Sequence, residues 1–549
     1  MKNRQGVLLL ITVVASSLIA GMVGTQVNAD TDPNDVRTTL LRNFSETLAV
    51  VESEYVKEVE SEDLVESGIR GMLRTLDPHS SFFSHSDYDK LQEQQKGKYF
   101  GLGISIRAEA PGSGRVVVVE PPAHGTPAYK AGLRAGDIIA EVEGEPIDDW
   151  DIDEEVIPNL KGPKGTIVNI TVERPGETEP LHFAVERDEI PIYTIKYAFR
   201  ITPEIGYIRI TKFAETTGEE LDQALEEIDE PNLAGLILDL RDNPGGSLDQ
   251  ALRVSDRFMA KDQIIVKTRS RTGKGDRNYR AGEDLEYRYP MIVLINQNSA
   301  SASEIVAGAL QDHDRALIMG KTSFGKALVQ TVFPLEGRRG LALTTGKYYT
   351  PSGRLIQRDY SNSFWDYYNS RGETSDEETN GREFFTDSGR IVYGGGGITP
   401  DQEVELDRMP EITRRLQREN LFRIFASRLQ AGDIDTDLGP LPDAKAFDAA
   451  LPARKAQIIS DITISDSTLK KFVEFAKETE EVEISAEELA EEENVVRNFL
   501  LQEILLIVAG DETSYKSFLE IDNQVQTALD RIPAAGDLLA MLDSQKGSL

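Results

Sequence analysis

The 549-residue sequence has no cysteine, which removes disulfides, thiolate nucleophiles and cysteine-held zinc in one step. Histidine is scarce, and His79, His85, His124, His182 and His313 show no ligand spacing such as HExxH, so no metal is expected. Positive charge is short: 60 Lys and Arg stand against 94 Asp and Glu, a net charge of -34. No basic run is long enough to follow a phosphate backbone, and nucleic acid is not expected as a partner.

The chain does have length and apolar content. At 39% apolar and 28% charged residues it reads as a folded protein of several modules. Lys2 and Arg4 precede an apolar run from Val7 to Val23, and Val27-Asn28-Ala29 then offers small residues at alternate positions. Residues 1–29 therefore read as a signal peptide, and the mature protein as exported to the periplasm or cell envelope. The run is about 17 residues, longer than most signal cores, so an uncleaved anchor in the inner membrane stays open. Without residues 1–29 the net charge becomes -36.

Residues 30–96 carry helical periodicity, with Val36, Leu40, Leu41, Phe44, Leu48 and Val51 on one stripe and a stop at Asp77-Pro78. Residues 97–190 change to short strands and turns: "YFGLGI", the strand "RVVVVE", then "TPAYKAGLRAGDII" with Pro127 at a helix start, Gly132 at its end and Gly136-Asp137 in a turn. This unit resembles a PDZ domain. Gly101 and Gly103 let backbone N–H groups converge on a chain-end carboxylate, so Tyr99, Phe100, Gly101, Leu102, Gly103 and Ile104 are the candidate site for a substrate C-terminus. His182, on the polar side of an alternating strand, reads as a solvated residue.

From 191 to 408 strands alternate with helices, which argues for an α/β core: a mainly parallel sheet with covering helices. It is interrupted at 360–390 by an aromatic and acidic insert holding Trp365, Tyr367 and Tyr368, read as a surface flap. Residues 409–549 return to helical patterns and show no catalytic constellation. The fold is thus multidomain, with helical N- and C-terminal regions flanking the strand-rich unit and the α/β core.

Ligands of a parallel sheet gather beyond the strands' carboxyl ends. Three loops stand there: "RDNPGGS", "NQNSAS" and "KTSFGK". Ser301 opens a helix, where the dipole favours a developing anion and the Ala302 amide can donate to it. Ser301-Ala302-Ser303-Glu304 also fits a capping box, so a purely structural serine stays open. His313 lies 12 residues on, roughly 18 Å at helical rise, and cannot serve Ser301 as a base. Lys326 can, if it is neutral. That requires lowering its pKa from about 10.4 towards 7 or 8, roughly 4 kcal/mol, which burial near Phe324 and Leu328 can supply. Gln330, four residues on, shares a side with Lys326 and can orient the amine without adding charge. Gly245 and Gly246 offer a second oxyanion donor. A nucleotide site is not expected, because Gly320-Lys321-Thr322 has Arg315 where a P-loop needs its first glycine.

"DLRDNPGG", "NSASASEIVAGAL", "FGKALVQ" and "YYTPSGRLIQ", after "GIRGMLRTLDPHSSFFS" and the PDZ-like unit, resemble the carboxyl-terminal processing proteases, also called tail-specific proteases. The likeness runs in order from about residue 40 to 408. It implies a serine endopeptidase that takes proteins or peptides by their C-termini, with Ser301 as nucleophile, Lys326 as general base, Gln330 as its orienting partner, and Gly246 and Ala302 as oxyanion donors. It implies no cofactor, and it allows an adaptor protein and a homo-oligomer. Two rivals differ in class: a PDZ scaffold on an idle platform, and an acyl-CoA enzyme of the crotonase type.

Overall fold

A computed structural model of the chain describes residues 33–109, 113–123, 125–360, 367, 382–480 and 486–546. Residues 1–29, read above as a signal peptide, lie outside them, as do Trp365, Tyr368 and most of the insert.

Residues 33–82 contain helices α1 (Pro33–Glu54) and α2 (Ser61–Arg74). Glu62 and Asp63 in the first turn of α2 and Arg74 in its last complement the helix dipole. Beyond it, Asp77 Oδ1 accepts the N–H groups of His79 (2.8 Å) and Ser80 (2.7 Å), the turn chemistry that stops the helical pattern. The apolar stripe of α1 has the expected period, yet Leu40, Leu41 and Phe44 are exposed in the single chain.

From residue 83 onward, α3 (His85–Lys96) leads into β1 (Lys98–Gly101), which pairs with β7 (Asp188–Pro191) and closes the strand-rich unit. Between them β2 (Ile106–Ala108), β3 (Val116–Val118), β4 (Ile138–Val142), β5 (Ile167–Glu173) and β6 (Leu181–Glu186) form an antiparallel sheet in chain order, over a core that includes Leu102, Val118, Ile139, Val156 and Ile170. The short helix α4 (Pro127–Ala131) is capped by Thr126 and ended by Gly132 at φ 89°. Its following turn is pinned by buried Asp137, which accepts Arg174 Nε at 2.7 Å. His182 is exposed, with Nδ1 3.0 Å from the Thr171 hydroxyl.

The α/β core is a six-stranded sheet ordered β8 (Ile195–Arg200), β9 (Ile205–Ile210), β10 (Gly235–Asp239), β13 (Met291–Ile295), β14 (Leu317–Gly320) and β19 (Gln402–Glu403). Only the β8–β9 pair is antiparallel. One face is covered by α6 (Thr217–Glu227), α7 (Leu248–Asp256) and α8 (Ala302–Asp312), whose Leu225, Val254, Val306 and Leu310 pack on Ile208, Leu238, Val293 and Ile318. A separate antiparallel sheet holds β12 (Arg277–Arg280), β11 (Ile264–Ser270), β16 (Arg339–Tyr349) and β15 (Leu328–Leu335), paired in that order. The hairpin β17 (Glu383–Phe385) and β18 (Ile391–Tyr393) follows.

In the C-terminal region α9 (Glu411–Arg418), α10 (Leu421–Ala431), α11 (Asp466–Glu480) and α12 (Ala486–Ala509) enclose a core of their own around Phe422, Phe425, Phe472, Leu500 and Ile504. After α13 (Asp511–Leu519), α14 (Asn523–Lys546) returns to the central sheet. Its Val525, Ala528 and Ile532 pack on Ile237, Ile292, Leu294 and Met319. The second face of the six-stranded sheet is therefore covered by α14.

Candidate active site

Parallel pairing fixes the rim. Asp239 is opposite Leu294, and Ile295 is opposite Gly320, so the loops that follow β10, β13 and β14 leave from one edge of the sheet.

Ser301 stands at the head of α8 with φ 54° and ψ -110°, a left-handed backbone rare outside glycine. Strain of this kind, of order 1–3 kcal/mol, persists only where the surroundings over-determine it. Here they do. The Ser301 N–H donates to Glu304 Oε2 at 2.8 Å, while its carbonyl accepts the N–H groups of Glu304 (2.9 Å) and Ile305 (3.0 Å). The glutamate half of the capping box is thus formed.

Glu304 does more than cap. Its fully buried carboxylate also accepts the Lys326 N–H (2.9 Å), the Gly325 N–H (2.6 Å) and the Ser323 hydroxyl (2.5 Å). Burial pushes its pKa up to about 7, against the pull of these donors. One carboxylate therefore fastens the Ser301 turn to the loop that delivers Lys326. Tyr348, on β16, fastens them again: its hydroxyl is 3.1 Å from the Ser301 carbonyl and also reaches the Lys326 carbonyl.

Lys326 is half-buried, flanked by buried Phe324 and Leu328. Its Nζ donates to Gln330 Oε1 at 2.8 Å. Gln330 sits on β15, where the bulge between Val329 and Gln330 re-aims the side chain.

The glycine pair divides its labour. Gly245 lies so close to the serine that a Cβ would fall 2.8 Å from Ser301 Cβ and 2.9 Å from the Ala302 nitrogen. Its own N–H is taken by Asn243 Oδ1 at 2.9 Å. Gly246, at φ 145°, would place a Cβ 2.0 Å from the Phe213 carbonyl, so only glycine fits. Among the described residues no hydrogen-bond acceptor takes the N–H of Gly246 or of Ala302.

The remaining polar residues of the serine-rich stretch have structural partners. Ser299 donates to the Leu240 carbonyl (2.8 Å) and Ser303 to the Asn243 carbonyl (2.9 Å). Lys321 pairs with Glu405. His313 ends α8, its ring nitrogens 2.7 Å from Asp387 and 2.8 Å from the Ile264 carbonyl. From the insert, Tyr367 is buried edge-on against Phe324, and the Arg358 guanidinium stacks on both rings at 4.4 and 4.7 Å.

In the strand-rich unit, β2 forms an edge: among the described residues it pairs only with β3. The adjoining Tyr99–Ile104 loop is partly engaged. Burial raises the Tyr99 pKa, with the Gly103 amide beside the phenol acting the other way, while Lys161 lies 4.8 Å from the Tyr99 ring and pairs with Glu93 at 2.6 Å. Among the described residues no cluster of three or more His, Asp or Glu is placed to hold a metal.

The rim of the parallel sheet thus carries a strained serine joined to a lysine loop, and comparison with known proteins places the molecule among the serine-type peptidases. Residues 204–361 match the model of peptidase family S41, residues 118–174 that of the PDZ domain, and residues 15–86 that of the N-terminal domain of the activating protease CtpB. The chain is 42% identical over 322 residues to a carboxy-terminal-processing protease of Bartonella bacilliformis, covering 58% of this chain and 72% of that one. It is 32% identical over 335 residues to the carboxy-terminal processing protease CtpB of Bacillus subtilis, covering 60% and 68%. Among solved structures, the photosystem II D1 C-terminal processing protease aligns with 66% of this chain and 92% of its own, at 27% identity and a TM-score of 0.34. The chain belongs to peptidase family S41, among the carboxy-terminal processing proteases, and is a PDZ-containing serine-type peptidase.

Proposed function

We propose that the enzyme is an exported endopeptidase that takes protein substrates by their C-termini through the PDZ domain and cleaves near them with a Ser301–Lys326 dyad. Neutral Lys326 accepts the Ser301 proton as Oγ attacks the scissile carbonyl carbon. The oxyanion so formed takes the N–H groups of Gly246 and Ala302. Collapse breaks the C–N bond, the Lys326 ammonium returns its proton to the departing amine, and an ester on Ser301 remains. Water then attacks the ester, giving its proton to Lys326, which passes it back to Ser301 as the acid leaves. Gln330 orients the amine.

The observation that carries this reading is the single oxygen of Glu304 that accepts the N–H groups of both Ser301 and Lys326, at 2.8 and 2.9 Å. The relatives named as carboxy-terminal processing proteases supply the substrate class, and the free edge of β2 supports addition of a peptide strand. The test is cleavage of a protein with an apolar C-terminal tail, followed by mass spectrometry. Ser301→Ala and Lys326→Ala should each abolish the cut, and capping the tail as an amide should weaken it. Cleavage that survives both substitutions would remove the dyad from the mechanism.

A further inference from the structure

The C-terminal region reaches the active site through one buried arginine. Arg241 follows β10 and opens the loop that ends in Gly245 and Gly246. It is 5% exposed. Its N–H and Nε both donate to Asp239 Oδ1, at 2.9 and 3.0 Å, and a terminal nitrogen donates to Asp239 Oδ2 at 2.6 Å. The other terminal nitrogen leaves the core altogether: it is 2.8 Å from Asp522 Oδ2 and donates to Gln524 Oε1 at 2.9 Å. Asp522 and Gln524 belong to the α13–α14 junction, well beyond the stretch that matches the S41 model. Both are buried.

The junction is itself firmly built. Asp522 Oδ1 accepts the N–H groups of Gln524 (3.0 Å) and Val525 (3.1 Å), capping α14. Gln524 Nε2 donates to the Val404 carbonyl at 2.7 Å. On the other side of Arg241 the loop leads straight to the oxyanion donors. Asp242, at φ 59°, donates its N–H to Asn296 Oδ1 (2.9 Å) and accepts Asn296 and Asn298 Nδ2 (2.8 and 2.9 Å). Asn243 then receives the Ala300 N–H (3.0 Å) on its carbonyl and the Gly245 N–H on its side chain. No segment between Arg241 and Gly246 is free to adjust independently.

We infer that Asp522, with Gln524, is a positioning residue for the reaction: by fixing Arg241 from the C-terminal region it sets the height of the 242–246 loop, and so the position of the Gly246 amide relative to the Ser301 hydroxyl. The inference rests on the reading of Gly246 as an oxyanion donor. The charge balance supports it. Arg209 pairs with Asp239 at 3.7 Å and with Asp242 at 3.5 Å, whereas Arg241 pairs with Asp239 and Asp522. Loss of the Asp522 carboxylate leaves the buried Arg241 sharing Asp239 with Arg209 and with a hydrogen bond to replace, which draws Arg241 out of its seat.

The experiment uses full-length enzyme. Asp522→Asn keeps the shape and the helix cap while removing the charge. Turnover of a peptide substrate should fall about tenfold with KM within twofold, a fraction of what loss of a whole oxyanion donor costs. Inhibition by a peptide aldehyde, whose adduct places an oxygen in the oxyanion hole, should weaken by the same factor. A merely structural role would lower the melting temperature and leave kcat per folded molecule and aldehyde affinity unchanged. If Asp522→Asn does not accumulate folded, Gln524→Ala, which removes the second acceptor of the same Arg241 nitrogen, carries the same expectations. Wild-type enzyme inhibited by the aldehyde, with a folded variant matching it in kcat and inhibitor affinity, overturns the inference. Wild-type enzyme indifferent to the aldehyde overturns the oxyanion reading, and the inference with it.

Discussion

The hydroxyl of Tyr348 lies 3.1 Å from the carbonyl oxygen of Ser301 and reaches the carbonyl of Lys326 as well. It joins the backbones of the two residues assigned to the chemistry, from a strand that belongs to neither loop. Burial pushes the phenol well above its ordinary pKa, so it stays a donor across the working range. The Ser301 carbonyl retains two other donors, and the loss in Tyr348→Phe therefore falls on the Lys326 side. Leaving a buried carbonyl short costs about 1–3 kcal/mol. Turnover should drop about tenfold at constant KM by the same arithmetic, and steady-state kinetics beside a melting curve would show it. A Phe variant with wild-type kcat would mean that Lys326 is held without this bond.

Glu304 predicts opposite pH trends for stability and activity. Its carboxyl sits near 4.5 when exposed and is pushed to about 7 by burial. A folded value above the unfolded one means that the folded state holds the proton more tightly, so this stabilisation is fully present below about pH 4.5 and lost as pH rises through 7, up to about 3 kcal/mol in all. Catalysis needs the ionised form, because Ser301, Gly325, Lys326 and Ser323 all donate to it and a protonated oxygen would turn a hydrogen against one of them. His313 acts in the same stability sense: burial disfavours its charge, but the Asp387 pair holds its pKa above the ordinary value. Between pH 8 and 6, urea unfolding should show equal or greater stability while turnover declines. Glu304→Gln should flatten its share of the stability trend and cost on the order of 10²-fold in turnover, the scale of a displaced reacting group. Parallel trends in wild type would exclude the clamp.

Why Glu304 was legible only as a helix cap is instructive. S-x-x-E fixes a contact between residues three apart, and that contact is present, but nothing in the spacing tells that Gly325 and Lys326 approach the same carboxylate from another loop. The loops on the sheet rim were legible because each follows a short apolar strand and carries glycine or serine where the chain must turn. Gln330 was legible because four residues separate it from Lys326, and the 2.8 Å bond between them needs no distant element. Tyr348, Arg241 and Asp522 were not, since the contacts that tie them to the site run between residues 22 to 283 apart in sequence. The stripe on α1 and the return of α14 to the sheet show the same limit: periodicity gives a face, not what covers it.

Tyr99 predicts a gain. Its phenol oxygen lies beside the Gly103 N–H, one of the amides assigned to an incoming carboxylate, and the ring is steadied by Lys161. Tyr99→Phe keeps the ring and removes the oxygen that competes for the amide. A fluorescent peptide ending in an apolar residue and a free carboxylate should bind a few-fold more tightly, in line with about 1 kcal/mol for one hydrogen bond. The same peptide as a C-terminal amide should be unaffected. Weaker binding to the Phe variant would show that the hydroxyl itself contacts the tail.

Gln330 gives the sharpest pH test of the dyad. A neutral amide 2.8 Å from Lys326 Nζ orients the amine without favouring its charge. Gln330→Glu is nearly isosteric but places a carboxylate against the ammonium, which favours the charged form and moves its titration upward by about 1–3 units. If Lys326 is the base, the neutral form needed for attack appears only at higher pH, and the acid limb of kcat/KM should move upward by the same interval. Lys326→Arg should be inactive at every pH, because a guanidinium does not give up its proton in this range. Gln330→Ala, which adds no charge, should lower turnover without displacing the limb. An acid limb unmoved in Gln330→Glu would identify some group other than Lys326 as the one whose proton must leave before Ser301 can react.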